Sequence, residues 1–165
     1  MHSITFRSVT EQDAGLITFW KQDPLVAEMA ISKGFTTTEE AQLRDIRAFL
    51  AHPEEGMYEL ILLGGDRPVG YIRIDWMDDE KRKAWLRFAL GEDRNKGIGR
   101  KALGQFIQRL LKQGCYRMEA EVYEFNGASQ RVLEANGFLR EGVKRKAHWN
   151  GEKYSDIYLY GLLAK

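Results

Sequence analysis

Apolar and polar residues alternate from Ile4 to Val9, which predicts a first strand. Thr10 followed by Asp13 is a capping signal for a short helix through Trp20, and Asp23-Pro24 breaks it. Leu25 to Ile31 predicts a second short helix, ended near Lys33-Gly34. Thr38 can cap a helix from Glu39 to about Ala51, in which Ala41, Leu43, Ile46, Phe49 and Leu50 approximate one face. Strands are expected over Met57 to Leu63 and Val69 to Trp76, joined by the hairpin-type turn Gly64-Gly65-Asp66. Pro68 should sit at the edge of the second of these, where its missing N–H does least harm. Lys83 to Leu90 predicts a fourth strand, after a charged loop from Met77 to Lys81. Leu103, Phe106, Ile107, Leu110 and Leu111 then mark the buried stripe of a helix from about Gly99 to Gln113, with Gly114 as its C-cap. Met118 to Tyr123 is a strand and Asn126 to Ala135 a helix ended by Asn136-Gly137. Leu139 to about His148 and Tyr154 to Leu163 form a last strand pair around Asn150-Gly151. The order β, helices, βββ, α, β, α, ββ is an α/β chain with a mixed sheet and helices on both faces.

Composition narrows this reading without changing it. The 165 residues favour one domain, 1–165, with a sizeable core, and no linker or repeat divides the chain. Hydrophobic residues are 44% and charged residues 30%, as in ordinary globular proteins. The net charge of +1 gives no argument for nucleic acid or a membrane surface, and no apolar run approaches the roughly 18 residues that span a bilayer. One cysteine, Cys115, excludes a disulfide framework within the chain and a multi-cysteine zinc site. Its environment reads as core, and the usage fits a reducing cytoplasm. His2, His52 and His148 are scattered without ligand spacing, so no metal is expected.

The candidate chemistry lies between the fourth strand and the following helix. Asp93-Arg94-Asn95-Lys96-Gly97-Ile98-Gly99-Arg100-Lys101 places two glycines at a strand–helix junction, flanked by Arg94, Lys96, Arg100 and Lys101. Glycines let a backbone turn tightly and let a ligand approach its N–H groups. A helix start adds unpaired donors and a positive dipole end, which together suit a diphosphate. Neither a P-loop nor a full G-x-G-x-x-G after a first strand is present.

Arg94-Asn95-Lys96-Gly97-Ile98-Gly99 resembles the R/Q-x-x-G-x-G/A acetyl-CoA loop of the GNAT superfamily of N-acetyltransferases. Asn126 to Phe138, one helix and one strand downstream, resembles that family's N-x-x-[A/S]-x-x-x-x-E-x-x-G-F segment. Glu141-Gly142 and Tyr154 to Tyr158 resemble the branch containing ribosomal-protein α-amino acetyltransferases. The resemblance implies about seven mostly antiparallel strands and acetyl-CoA as co-substrate. It implies that Phe88, Ala89 and Leu90 bond the pantetheine like an added strand, that Arg94, Asn95, Lys96, Gly97, Ile98, Gly99 and Arg100 hold the diphosphate, and that Asn126 and Ser129 complete the coenzyme arm. Many relatives have Gly where Asn95 stands, Pro where Gly91 stands, and an acidic Tyr where Leu133 stands. Ser129 falls where the α-amino branch carries a serine that protonates the departing thiolate.

In the implied reaction a neutral amine attacks the thioester carbonyl, so a carboxylate, directly or through water, must take the ammonium proton. Glu121 is the first candidate base. Glu119 shares its face by strand alternation, and Asp75 is a further candidate. Ser129 reads equally as a first-turn hydroxyl contacting local backbone. Trp20, Met29 and Phe35 lie where relatives build the acceptor pocket, and His148-Trp149 flank the last turn. The leading expectation is a cytoplasmic N-acetyltransferase acting on a small amine or a peptide N-terminus, and a homodimer as relatives often are. A non-catalytic acyl-CoA sensor on the same fold and a phosphate-binding domain for nucleotide or RNA backbone are the competing expectations.

Overall fold

A computed structural model describes residues 3–30 and 35–165. The helix expected from Leu25 forms as α2 (Pro24–Met29), with Asp23 capping it and Pro24 at its first position, where a missing N–H is harmless. It ends at Met29, where Ala30 is already extended, short of the expected run to Ile31; Lys33-Gly34 lie outside the described residues, as does His2. The segment from Thr10 starts as a 3-10 turn with a reciprocal Thr10–Asp13 capping box and continues as α1 (Ala14–Gln22). Thr38 caps α3 (Glu39–Ala51) by accepting the Ala41 N–H at 3.2 Å. The remaining helices are α4 (Ile98–Lys112) and α5 (Gly127–Ala135). Among the described residues no helix is long and apolar enough to cross a membrane.

Seven strands form one sheet in the order β1-β2-β3-β4-β5-β7-β6. They are β1 (Ile4–Ser8), β2 (Gly56–Leu63), β3 (Arg67–Trp76), β4 (Lys83–Leu90), β5 (Arg117–Tyr123), β6 (Leu139–Trp149) and β7 (Tyr154–Leu163). Every neighbouring pair is antiparallel except β4 and β5, which the α4 crossover makes parallel. Pro68 lies inside β3 rather than at its edge, opposite Leu62 where the β2–β3 register shifts, so the irregularity absorbs its missing donor.

The sheet carries a core on each face. On one face Ile72, Ile74, Leu86, Met118 and Val122 pack with Leu103, Phe106 and Leu110 of α4 and Leu133 of α5. Cys115 belongs to this core, and burial raises its thiol pKa. On the other face Tyr58, Leu60, Leu62 and Tyr71 pack with Ile17 and Trp20 of α1 and Ile46 of α3. Strand alternation therefore turns Trp85, Arg87 and Ala89, whose register partners are Asp75, Arg73 and Tyr71, toward the α1–α3 face.

Candidate functional site

β3 holds β4 along its length, as far as the Gly70–Leu90 pair, and β7 holds β5 from Arg117 to Tyr123. β4 and β5 pair with each other only at Lys83–Arg117, Ala84–Met118 and Trp85–Glu119. Beyond Trp85 the two strands part. A cavity of about 650 Å³ occupies the split, lined by Trp85 to Leu90 on one side and Ala120 to Val122 on the other. The unpaired edge of β4 thus faces the cavity with peptide groups that an extended ligand can bond like a strand.

One arm of the cavity is built mostly of backbone. Positive φ recurs at Asp93 (54°), Asn95 (64°) and Gly97 (79°), and such sign alternation makes an anion-binding concavity of N–H groups. Gly97 is the N-cap of α4 and no side chain caps the helix, so its first N–H groups are left for a ligand. Arg94, Asn95, Gly97, Gly99 and Arg100 line the cavity here, whereas Lys96 and Ile98 do not. Lys96 turns out to Asp93 at 2.8 Å, and Ile98 packs against the core. The Asp93 carboxylate lies between Lys96 and Arg67 (2.7 Å), which hold it below the usual carboxylate range. A Cβ at Gly99 would stand 3.5 Å from Leu90 Cδ1, so a larger side chain would enter the cavity. Gly91, where relatives carry Pro, has a local cause: its Cβ would meet the Trp20 ring at 2.1 Å.

The start of α5 closes this arm. Asn126 Oδ1 accepts the Ser129 backbone N–H at 3.1 Å, so the cap occupies the amide oxygen and leaves its NH₂ group as donor. Asn126, Ser129 and Arg131 all line the cavity, as does the buried Leu133.

The other arm is built of side chains from the α1–α3 face. Lys21 is only 5% exposed and donates to Gln42 Oε1 at 2.9 Å. Its ammonium sits over the rings of Phe35 (5.1 Å) and Tyr71 (5.4 Å). Burial lowers its pKa to about 8, against the opposing pull of Asp45. Gln42 is fully buried and also donates to the Tyr58 hydroxyl at 3.2 Å. Arg73 pairs with Asp45 at 2.8 Å and lies over the Tyr58 ring, and Arg87 pairs with Asp75 at 2.6 Å and lies over Trp85. Burial pushes the Tyr71 hydroxyl up to about 12 and raises that of Tyr58 as well, so both stay neutral.

The three candidate bases separate. Glu121 lines the cavity beside the split, with Lys144 at 2.5 Å from its carboxylate. Glu119 shares its face but sits where β4 and β5 still pair, bound by Lys83 (3.2 Å) and Arg117 (3.0 Å). Asp75 is occupied by Arg87 and does not line the cavity. Of the early residues, Met29 and Phe35 line the cavity, while Trp20 is core beneath Gly91. His148 stacks on Tyr123 at 4.1 Å, and neither it nor Trp149 lines the cavity. Among the described residues His52, Glu54 and Glu55 bring ligand-type atoms within 4.8 Å of one another on an exposed turn.

Lys21, Tyr58, Tyr71, Arg73, Trp85, Arg87 and Arg131 escaped the sequence reading. A signal existed for two of them. Arg73 and Arg87 stand mid-strand among apolar residues, where a charge needs a partner or a cavity.

A sheet that opens between two parallel strands, with a glycine loop at the helix start beside the opening, is the architecture of an acyl-CoA-dependent acetyltransferase. The chain belongs to the GNAT family, matching its acetyltransferase (GNAT) domain over residues 3–139. It is 24% identical over 170 residues to the uncharacterized N-acetyltransferase p20 of Bacillus licheniformis, covering 98% of this chain and 93% of that one. The fold is similar to that of RimL, a ribosomal L7/L12 alpha-N-protein acetyltransferase in complex with coenzyme A. The TM-score is 0.85 at 17% identity, over 98% of this chain and 94% of that one. It is equally similar to spermidine N-acetyltransferase from Vibrio cholerae in complex with coenzyme A and spermine, with a TM-score of 0.85 at 14% identity over 97% and 95% of the two chains.

Proposed function

We propose that residues 1–165 act as one cytoplasmic domain that moves the acetyl group of acetyl-CoA directly to a primary amine, with both substrates bound together. The observation that carries this reading is the continuous cavity, which joins a phosphate-type backbone cradle to a separate side-chain pocket through the split. Phe88, Ala89 and Leu90 offer the β4 edge to the pantetheine. The N–H groups around Gly97 and Gly99, with Arg94 and Arg100, receive the diphosphate. Asn126 donates to the same arm. Glu121, or a water it orients, takes the ammonium proton once Lys144 yields. The amine nitrogen forms the new N–C bond as the C–S bond breaks, and the Ser129 hydroxyl returns a proton to the sulfur. Relatives named for a protein N-terminus and for spermidine leave both acceptor types in view.

The test is free thiol released from acetyl-CoA with a panel of primary amines. Amine-dependent release is expected. Coenzyme binding without release for any amine would favour a non-catalytic acyl-CoA sensor.

A further inference from the structure

We propose that the acceptor amine carries a carboxylate, which seats against Lys21, Arg73 and Arg87 while the amine points to Glu121. The proposal rests on the acetyltransferase reading for its direction, because the amine must meet the acetyl group at the split.

Lys21 carries it. Among the described residues no carboxylate lies within 4.0 Å of its ammonium. A nearly fully buried lysine is ordinarily paired with an acid. Here its neighbours are the Gln42 oxygen of α3, the rings of Phe35 and Tyr71, and the charges of Asp45, Arg73 and Arg87. Asp45 is engaged by Arg73 and Asp75 by Arg87, and neither aspartate lines the cavity. Lys21, Arg73 and Arg87 against Asp45 and Asp75 leave one positive charge in excess, and all three cations line the cavity. Aromatic faces offset part of the cost of the Lys21 charge, and an incoming carboxylate offsets the rest.

The same distribution disfavours a polycation. The cavity wall holds one carboxylate among the described residues, Glu121, and it stands beside the split rather than among the cations. Such a wall orients a zwitterion: the ammonium goes to Glu121 and the anion to Lys21. Met29, Phe35 and Trp85 add apolar lining, with Phe35 against Lys21 and Trp85 against Arg87. The anion is either the α-carboxylate of a free amino acid or the side-chain carboxylate of an acidic peptide N-terminus.

Two matched pairs test this with coenzyme A or acetyl-CoA present. They are L-methionine against L-methioninamide, and the amidated dipeptide Asp-Ala against Asn-Ala. Binding is measured by calorimetry and turnover by thiol release. At least one acid should bind and turn over about tenfold or more better than its amide. The first pair identifies an α-carboxylate and the second a side-chain carboxylate. Lys21→Met should bring the ratio to within about threefold, and Lys21→Arg should restore part of it. Retained acetyl-CoA binding shows that Lys21→Met still folds, and if it does not, the wild-type ratio alone decides. Turnover of amines with no preference for acid over amide overturns the proposal and leaves the transferase reading standing. Preferential binding of an acid without turnover upholds the anion subsite and overturns the transferase reading.

Discussion

The two arms of the cavity are made differently. The arm proposed for the coenzyme comes from two short stretches, Asp93 to Arg100 and Asn126 to Arg131, and depends on φ angles, helix starts and glycine spacing. The arm proposed for the acceptor collects Lys21 from α1, Tyr71 and Arg73 from β3, and Trp85 and Arg87 from β4, with Gln42 and Asp45 of α3 bonded behind Lys21 and Arg73. Backbone chemistry suits a diphosphate, the same in every acetyl-CoA. Side-chain chemistry can change one residue at a time, which suits an acceptor that differs between relatives. Arg94 donates to Asp23 at 2.8 Å, which ties the Asp93–Arg100 loop to the α1–α2 junction.

The largest predicted effect breaks the coenzyme arm alone. Gly99→Glu puts a side chain and a negative charge into the diphosphate cradle and should weaken acetyl-CoA by about 100-fold or more, with loss of its thermal shift. An unchanged shift would remove the loop from the site.

The next acts on the acceptor arm alone. Folded, Lys21 releases its proton near pH 8, and unfolded near the ordinary 10.5. Below pH 8 both states are protonated and the buried charge costs its full penalty. Between about pH 8 and 10.5 the unfolded state binds the extra proton, so stability rises with pH, by up to roughly 3 kcal/mol. Urea unfolding across this window should show the wild type gaining on Lys21→Met, and parallel curves would contradict the buried-charge account.

Ser129→Ala sharpens the comparison at the junction of the arms. Its backbone N–H keeps the Asn126 cap, so acetyl-CoA affinity should hold within about twofold while turnover falls about 100-fold. Equal turnover would leave Ser129 as a plain first-turn residue. The smallest effect is Thr38→Ala, which removes the α3 cap one turn before Gln42 and should cost about 1 kcal/mol. Thermal unfolding checks it, with an expected drop in melting temperature of about 2–4 °C.

The contrast between the arms explains what could be read in the chain. Periodicity located α3, β4 and β7 at Glu39–Ala51, Lys83–Leu90 and Tyr154–Leu163, because each is long and bounded by turn or cap residues. The loop and the Asn126 segment were legible because each is a short motif whose spacing is local. The split was not, since it depends on β3 and β7 drawing β4 and β5 apart beyond Trp85. Hence Glu119 and Glu121, two residues apart on one face, could not be separated before the pairing was seen. Lys21 reads as an ordinary residue of an amphipathic helix until α3 and β3 close over it.

The proposed direct attack of the amine on the thioester requires both arms to be filled at once. Initial velocities with acetyl-CoA varied at several fixed concentrations of an accepted amine test this directly. Intersecting double-reciprocal lines are predicted, as a ternary complex requires. Parallel lines, the pattern of acetyl transfer through the enzyme itself, would contradict it.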